Sequence, residues 1–248
     1  VSKYFCGAHY PGGGRITGNN VGVWKNRSVS LPAYTYASWY ERIDPDWNWN
    51  LDSGSDQYKM YSWGIGDWPY GDGTSQYWYM EKQSAQGATG IDIHASDAYS
   101  IESQTYGEGW PNLKTGWHKF EIEICYSNTS GTGYFKLWTD GTLNISYTGK
   151  TDGGANWSGS DRCELIGGYV TDRATSQWRY FNDIYLDYSR QRVLIGNAST
   201  LANCTTLREV QVPSAWSDTS ITATVNQGGY TNGATAYLYV FDATGTAN

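Results

Sequence analysis

WHKFEIEICYSNTSGTGYFKLW, residues Trp117–Trp138, holds two alternating runs around a polar loop, and the reading of this stretch decides the fold. In the first run Phe120, Ile122 and Ile124 alternate with Lys119, Glu121 and Glu123, the period of two that gives a strand one buried face. In the second, Phe135 and Leu137 take one side while Tyr134, Lys136 and Trp138 take the other. Ser127–Gly133 supplies the Gly, Ser, Thr and Asn of a hairpin loop. Once paired, the strands oppose an apolar face to one bearing Glu121, Glu123, Tyr134, Lys136 and Trp138. Flat rings beside charged groups suit a sugar chain, whose ring faces stack and whose hydroxyls pair. The plainer alternative is a solvated face of an antiparallel sheet.

Outward from this hairpin no sustained helical spacing appears, and Gly or Asn-Gly-type punctuation recurs throughout, so the chain reads as nearly all β. Strands are predicted at Val21–Trp24, Ala33–Ile43, Gln57–Trp63, Gln76–Glu81, Gly90–Ala95, Ala98–Gln104, Leu143–Tyr147, Glu164–Val170 and Arg179–Tyr188. In the Ala33–Ile43 strand, Ala37 and Trp39 alternate against Tyr36, Ser38, Tyr40 and Arg42. Tyr77 and Tyr79 share one side of their strand, and Asp92 and His94 share the face opposite Ile91 and Ile93. Arg179–Tyr188 buries Ile184 and Leu186 while Asp183, Tyr185 and Asp187 face away. Asp140-Gly141 predicts a tight turn into the next strand. Many short antiparallel strands at this spacing imply a two-sheet sandwich over residues 1–200. Residues 201–248 differ, with three small Thr- and Val-rich strands that form a β-rich extension or part of an immunoglobulin-like module.

The 248 residues are enough for a substantial core without metals or dense disulfides. With 13 Trp and 22 Tyr against 5 Phe, the chain favours rings that keep a polar edge for water or a ligand. A formal charge of −7 opposes nucleic acid and anionic membranes as partners, and no apolar run is long enough to cross a bilayer. The N-terminus lacks the apolar core of a signal peptide, as in a mature secreted protein or an excised domain. Four cysteines without C-x-x-C spacing point to disulfides rather than zinc. Because first and last strands often neighbour each other, the expected pairs are Cys6 with Cys204 and Cys125 with Cys163. Sequons at Asn26, Asn128, Asn144, Asn156, Asn197 and Asn203 agree with an extracellular, glycosylated protein.

YERIDPDW, GWHKFEIEI, KLWTDG and YFNDIYLD, in that order, resemble the concanavalin A-like lectin/glucanase jelly-roll superfamily over roughly residues 20–190, in its polysaccharide-lyase-like and laminin-G-like flavour. PSAWSDTSITATV is similar to a stretch of IPT/TIG-type immunoglobulin-like modules. The first resemblance implies a concave glycan-binding sheet, for which the polar faces offer Tyr36, Tyr40, Arg42, Tyr77, Tyr79, His94, Glu121, Glu123, Tyr134, Lys136 and Trp138. It also brings alginate-lyase-like chemistry into view. Asp92-Ile93-His94 and Tyr134-Phe135-Lys136 echo the Q-I-H and Y-F-K strands of those lyases, making His94 the candidate base and Tyr134 the candidate acid. Asp92 stands where the lyases carry Gln, and their arginine-rich strand has no counterpart beyond Arg42. Glu121-Ile122-Glu123 lacks the central Asp and third acid of a laminarinase-type site. The acidic turns DPDW, DWNWNLD and TDGG offer oxygens to Ca²⁺, as members of the superfamily do.

The expectation is therefore a secreted or cell-surface, non-catalytic polysaccharide-binding jelly roll. Its rivals are a polysaccharide lyase acting on an acidic glycan and a structural surface or filament subunit whose C-terminal tail pairs with a neighbour's sheet edge.

Overall fold

The computed structural model describes residues 4–5, 19–28, 33–45, 57–65, 77–83, 91–96, 104–106, 111–127, 129, 131–151, 162–170 and 179–248. Twelve strands form two six-stranded antiparallel sheets. The first sheet has the order β1 (Tyr4–Phe5), β12 (Arg179–Asp187), β3 (Tyr34–Ile43), β8 (His118–Cys125), β9 (Gly133–Thr139), β10 (Thr142–Gly149). The second has the order β2 (Asn19–Ser28), β11 (Arg162–Val170), β4 (Gln57–Ile65), β5 (Tyr77–Gln83), β6 (Ile91–Ser96), β7 (Gln104–Tyr106). β3 lies between β12 and β8, and β11 between β2 and β4, so each sheet is closed by long crossovers. The protein is the all-β antiparallel jelly-roll sandwich that its strand pattern predicts.

The central hairpin pairs Ile122 with Leu137 and Ile124 with Phe135, so the apolar members of both runs meet on one face. The next hairpin closes on Asp140-Gly141, whose φ values of 49° and 81° are the left-handed pair required by a tight two-residue turn. His118 braces this turn. Its Nδ1 lies 2.7 Å from Asp140 Oδ2 and its Nε2 lies 3.1 Å from the Asn112 carbonyl, while the Lys119 N–H donates to Asp140 Oδ1 at 2.9 Å. Both ring nitrogens face acceptors, which favours the doubly protonated ring. The hydrogen bond to Asp140 raises the His118 pKa above 6.5 against the opposing effect of burial.

Between the sheets, Ala37, Trp39, Phe120, Ile122, Ile124, Phe135 and Leu137 pack on Met60, Tyr61 and Ile166 of the second sheet. The Trp39 ring stacks with Phe120 at 5.6 Å and Tyr61 at 6.2 Å. Its indole N–H donates to Glu41 Oε2 at 3.0 Å, and Arg179 donates to Glu41 Oε1 through Nη2 at 2.7 Å and Nε at 2.9 Å. Both oxygens of this fully buried carboxylate are thereby matched.

A third layer lies on the other side of the first sheet. β13 (Arg192–Gly196) sits between β14 (Arg208–Gln211) and β17 (Tyr237–Phe241), beside a ribbon of β15 (Pro213–Trp216) and β16 (Ile221–Ala223). The central strand of this tail sheet therefore comes from before residue 201, within the segment that the sequence reading assigned to the sandwich. Tyr34 and Tyr36 of β3 pack with Leu194, Val210, Tyr239 and Phe241 in a second core. The first sheet is thus buried on both faces.

The two expected disulfides are corrected. Cys125 and Cys204 are free thiols, and each expected bond needs one of them. Cys204 is buried in the tail's own core, its sulfur 3.4 Å from the Tyr239 hydroxyl and from the Thr200 carbonyl. Cys125 and Cys163 belong to opposite sheets, and packed sheets about 10 Å apart exceed the roughly 7 Å Cα separation that a disulfide spans. Cys6 lies outside the described residues.

Phe120→Ala is expected to cost about 3–5 kcal/mol in urea unfolding, because it empties the space against the Trp39 ring. His118 is expected to titrate above 6.5 by NMR. A raised folded pKa contributes stability that is full below 6.5 and lost as pH rises through the folded value, so His118→Gln removes that pH dependence from the unfolding midpoint.

Candidate functional site

The polar faces read from the sequence do not form one trough. Of the eleven candidates, Tyr36, Tyr40, Arg42, Glu121, Glu123, Tyr134, Lys136 and Trp138 sit in β3, β8 and β9 of the first sheet, whereas Tyr77, Tyr79 and His94 sit in β5 and β6 of the second. His94 and Tyr134, the candidate base and acid of a lyase, are therefore on different sheets. Tyr134 alternates with the core residues Phe135 and Leu137 and packs against the tail. The sandwich stands between that face and any residue across the second sheet, so this pairing is corrected.

The first-sheet face is covered by the tail through matched charges. Glu121, 2 % exposed, accepts from the Tyr36 hydroxyl at 2.7 Å on one oxygen and from Arg208 Nε at 3.0 Å and Nη2 at 2.7 Å on the other. Arg192 Nη2 reaches Glu123 Oε1 at 2.6 Å and Nη1 reaches the Tyr34 hydroxyl at 3.2 Å, with the guanidinium over the rings of Tyr36 at 4.3 Å and Phe241 at 3.9 Å. In the reverse sense, Glu209 of the tail accepts from Lys119 Nζ at 3.2 Å and from the Tyr40 hydroxyl. Burial presses the Glu121 pKa upward, but Arg208, Lys119 and the hydrogen bonds outweigh it and hold this carboxylate below its ordinary value. Burial and Glu121 push the Tyr36 hydroxyl well above its own. Tyr36 and Glu121 are accordingly parts of a packed seam rather than an open lining. Tyr134, Lys136, Trp138 and Arg42 stay half-buried, Lys136 over the Tyr134 ring at 5.1 Å, Arg208 over Trp138 at 5.3 Å, and Arg42 over Tyr180 at 4.1 Å and Trp117 at 5.3 Å.

On the second sheet, backbone register gathers the remaining candidates. Tyr79 is the direct partner of His94, and the same row runs through Ser62 and Leu165 to Lys25. The next row of this parity holds Ser96, Tyr77, Gly64, Cys163 and Arg27. Adjacent to the Tyr79 row on its other side runs Ile93, Met80, Tyr61, Ile166 and Trp24, in which Tyr61 and Ile166 are core residues. In backbone register Tyr77, Tyr79, His94, Lys25 and Arg27 thus share the parity opposite to that of the core residues Tyr61 and Ile166. Lys25 and Arg27 are not among the residues expected from the sequence, although the alternation in VWKNRS carries both. The same holds for Arg192, Arg208 and Glu209, whose signal is charge embedded in the short apolar strands RVLIG and REVQ.

For Ca²⁺, most of the acidic turns, residues 46–52 and 152–154, lie outside the described residues, and no group of three metal-ligating side chains occurs among those described. Of the sequons, Asn197 and Asn203 are exposed, Asn144 is half-buried, Asn26 belongs to β2, and Asn128 and Asn156 lie outside the described residues.

No family model and no curated protein matches the chain. Among solved structures it is similar to the alginate lyase Aly36B, with 12 % identity and a TM-score of 0.46 over 67 % of this chain and 72 % of that one. It is also similar to the endo-β-1,4-glucuronan lyase of the fungus Trichoderma reesei, with 13 % identity and a TM-score of 0.49 over 70 % and 76 % of the two chains. A third likeness is to the binding domain of botulinum neurotoxin serotype D/C, with 14 % identity and a TM-score of 0.37 over 63 % of this chain and 33 % of that one.

Glu121→Gln leaves Arg208 buried without its counter-charge, so a loss of about 3–5 kcal/mol is expected in urea unfolding, with part of it recovered in the Glu121→Leu/Arg208→Met double variant. The lowered folded pKa of Glu121 contributes stability that is present above its ordinary 4.5 and lost as pH falls through the folded value. The wild-type midpoint is expected to fall more steeply than that of Glu121→Gln on acidification below 4.5.

Proposed function

We propose that the protein is an extracellular carbohydrate-binding jelly roll whose glycan lies across the outer face of the second sheet. The observation that carries this reading is the register alignment of Tyr79 with His94, flanked by Tyr77 and ending on Lys25 and Arg27. Tyrosines two residues apart on one strand are spaced to meet successive sugar rings, and the basic residues at the far end of the rows suit an acidic glycan. The abundance of Trp and Tyr over Phe agrees with a surface built from amphipathic rings.

The same register favours a second reading, a polysaccharide lyase. There His94 takes the proton beside the uronate carboxylate and Tyr79, in place of Tyr134, protonates the leaving oxygen, with Lys25 or Arg27 neutralising the carboxylate. The filament reading loses its main support, because the tail strands pair with one another and the seam ties them to their own sandwich. No helix among the described residues is long and apolar enough to cross a membrane.

A glycan array followed by titration calorimetry tests the first reading. Tyr79→Ala is expected to weaken the best ligand about tenfold, and unchanged affinity defeats the assignment of this face. Incubation with uronate polysaccharides separates the two readings: unsaturated product that disappears in His94→Ala establishes the lyase, and none leaves a binding protein.

A further inference from the structure

β12 slips out of register with β3 between Asn182 and Tyr185, opposite Tyr40 and Ser38. Asp183 and Ile184 form the bulge, and Asp183 has a φ of 46°, in the left-handed region where Asp and Asn are the side-chain-bearing residues most at home. Asp183 and Ile184 line a cavity together with Glu209, Val210 and Val212 of the tail. This cavity of ≈ 360 Å³ lies between the two layers, within the range that takes a small ligand.

The polar groups of this cavity are unevenly used. Glu209 is saturated by the Tyr40 hydroxyl, by Lys119 Nζ at 3.2 Å and by the Gly229 N–H at 3.0 Å. Among the described residues Asp183 accepts only from the Asn182 amide, at 3.4 Å. Burial and the charge of Glu209 raise the Asp183 pKa, with Lys119 and the charge of the amino terminus opposing them. Ser38, 2 % exposed, lines the cavity and offers its hydroxyl as both donor and acceptor. Lys119 spends one of three donors on Glu209 while its side chain is 6 % exposed. On the tail side Val210, Val212 and Val225 alternate with Thr224 and Asn226, Val212 and Val225 standing exposed at 57 % and 78 %.

The charged side chains of the lining are Lys119, Glu209 and Asp183, and their sum is one negative charge. A uronate or phosphate meets two carboxylates there. A neutral hexose can donate a hydroxyl to Asp183 but leaves its charge uncompensated, and an alkylamine leaves Ser38 and the spare Lys119 protons unmatched. A divalent cation finds one unsaturated carboxylate, too few for a protein cage. What fits is a polyhydroxylated ring that carries an amine. We propose that this cavity binds a non-acetylated amino-sugar residue, its ammonium on Asp183, its hydroxyls on Ser38 Oγ and Lys119 Nζ, and its C–H face against Val212 and Val225. The site shares no residue with the second-sheet face and does not depend on the function proposed for that face.

Titration calorimetry of the full chain at neutral pH, with a deacetylated glucosamine disaccharide, its N-acetylated counterpart and N-acetyl-lysine methylamide, tests the proposal. Saturable binding of the amino sugar is expected, with the other two probes weaker by about tenfold or more, the loss of one charge-assisted pair. Asp183→Asn tolerates the left-handed backbone and removes only the charge, and it is expected to cost about the same factor. Val225→Trp fills the mouth from an exposed position and is expected to abolish binding. Equal binding of the acetylated sugar or of the lysine probe, unchanged affinity in either variant, or no binding by the wild type overturns the proposal.

Discussion

The Arg208–Glu121 pair is the contact on which the arrangement of layers depends. A carboxylate in mid-strand, on a face that the tail takes out of water, costs several kcal/mol in lost hydration unless its lone pairs are met. Here both oxygens are met: Tyr36 serves one and the Arg208 guanidinium serves the other through two of its donors. Glu123, two residues further along β8, takes Arg192 from the neighbouring tail strand. Two ion pairs from adjacent strands onto one strand define a register as well as an attraction. A sliding of the tail by one residue leaves two arginines and two carboxylates buried without partners.

This explains why a sheet buried on both faces does not read as a continuous apolar run. A central sheet with helices on both sides is usually Val- and Ile-rich throughout. The first sheet instead has one apolar face, Phe120–Ile122–Ile124, packed into the sandwich, and one built from tyrosines and ionised groups packed under the tail. Tyr34, Tyr36 and Tyr40 join the two chemistries, burying their rings while each hydroxyl reaches a charged partner. Such a face is soluble enough to pass for a ligand surface until its cover is known.

The local signals held where the deciding information was local. Alternation in Trp117–Trp138 identified both strands, their loop and the inward face, and Asp140-Gly141 marked its turn. Alternation set Tyr77 and Tyr79 on one side of their strand without deciding which side is buried, and the register places them in rows of opposite parity to the buried Tyr61 and Ile166. What it did not carry was which outward face stays outward. For Glu121 that depends on Arg208, 87 residues away, in a strand of four residues too short to advertise itself. Membership of β6 and β9 in opposite sheets, which separates His94 from Tyr134, is likewise a matter of crossover topology that no strand-length window contains. The cysteines failed for the same reason: an even count says nothing of which sheet each sulfur stands on.

The bulge in β12 is where these two levels meet. Elsewhere along the seam, charge on the sheet finds its opposite on the tail, and the ring of Trp138 takes the Arg208 guanidinium. At Asp183 the sheet puts forward a carboxylate on strained backbone, and the tail answers with another carboxylate, Glu209, already satisfied by Lys119 and Tyr40. Stability alone would remove such a mismatch, since Gly accommodates the left-handed backbone there and a neutral side chain relieves the repulsion. A carboxylate left short of partners beside a buried serine, in a seam whose other acidic groups among the described residues are matched, is the pattern of a surface shaped for something the protein itself does not supply.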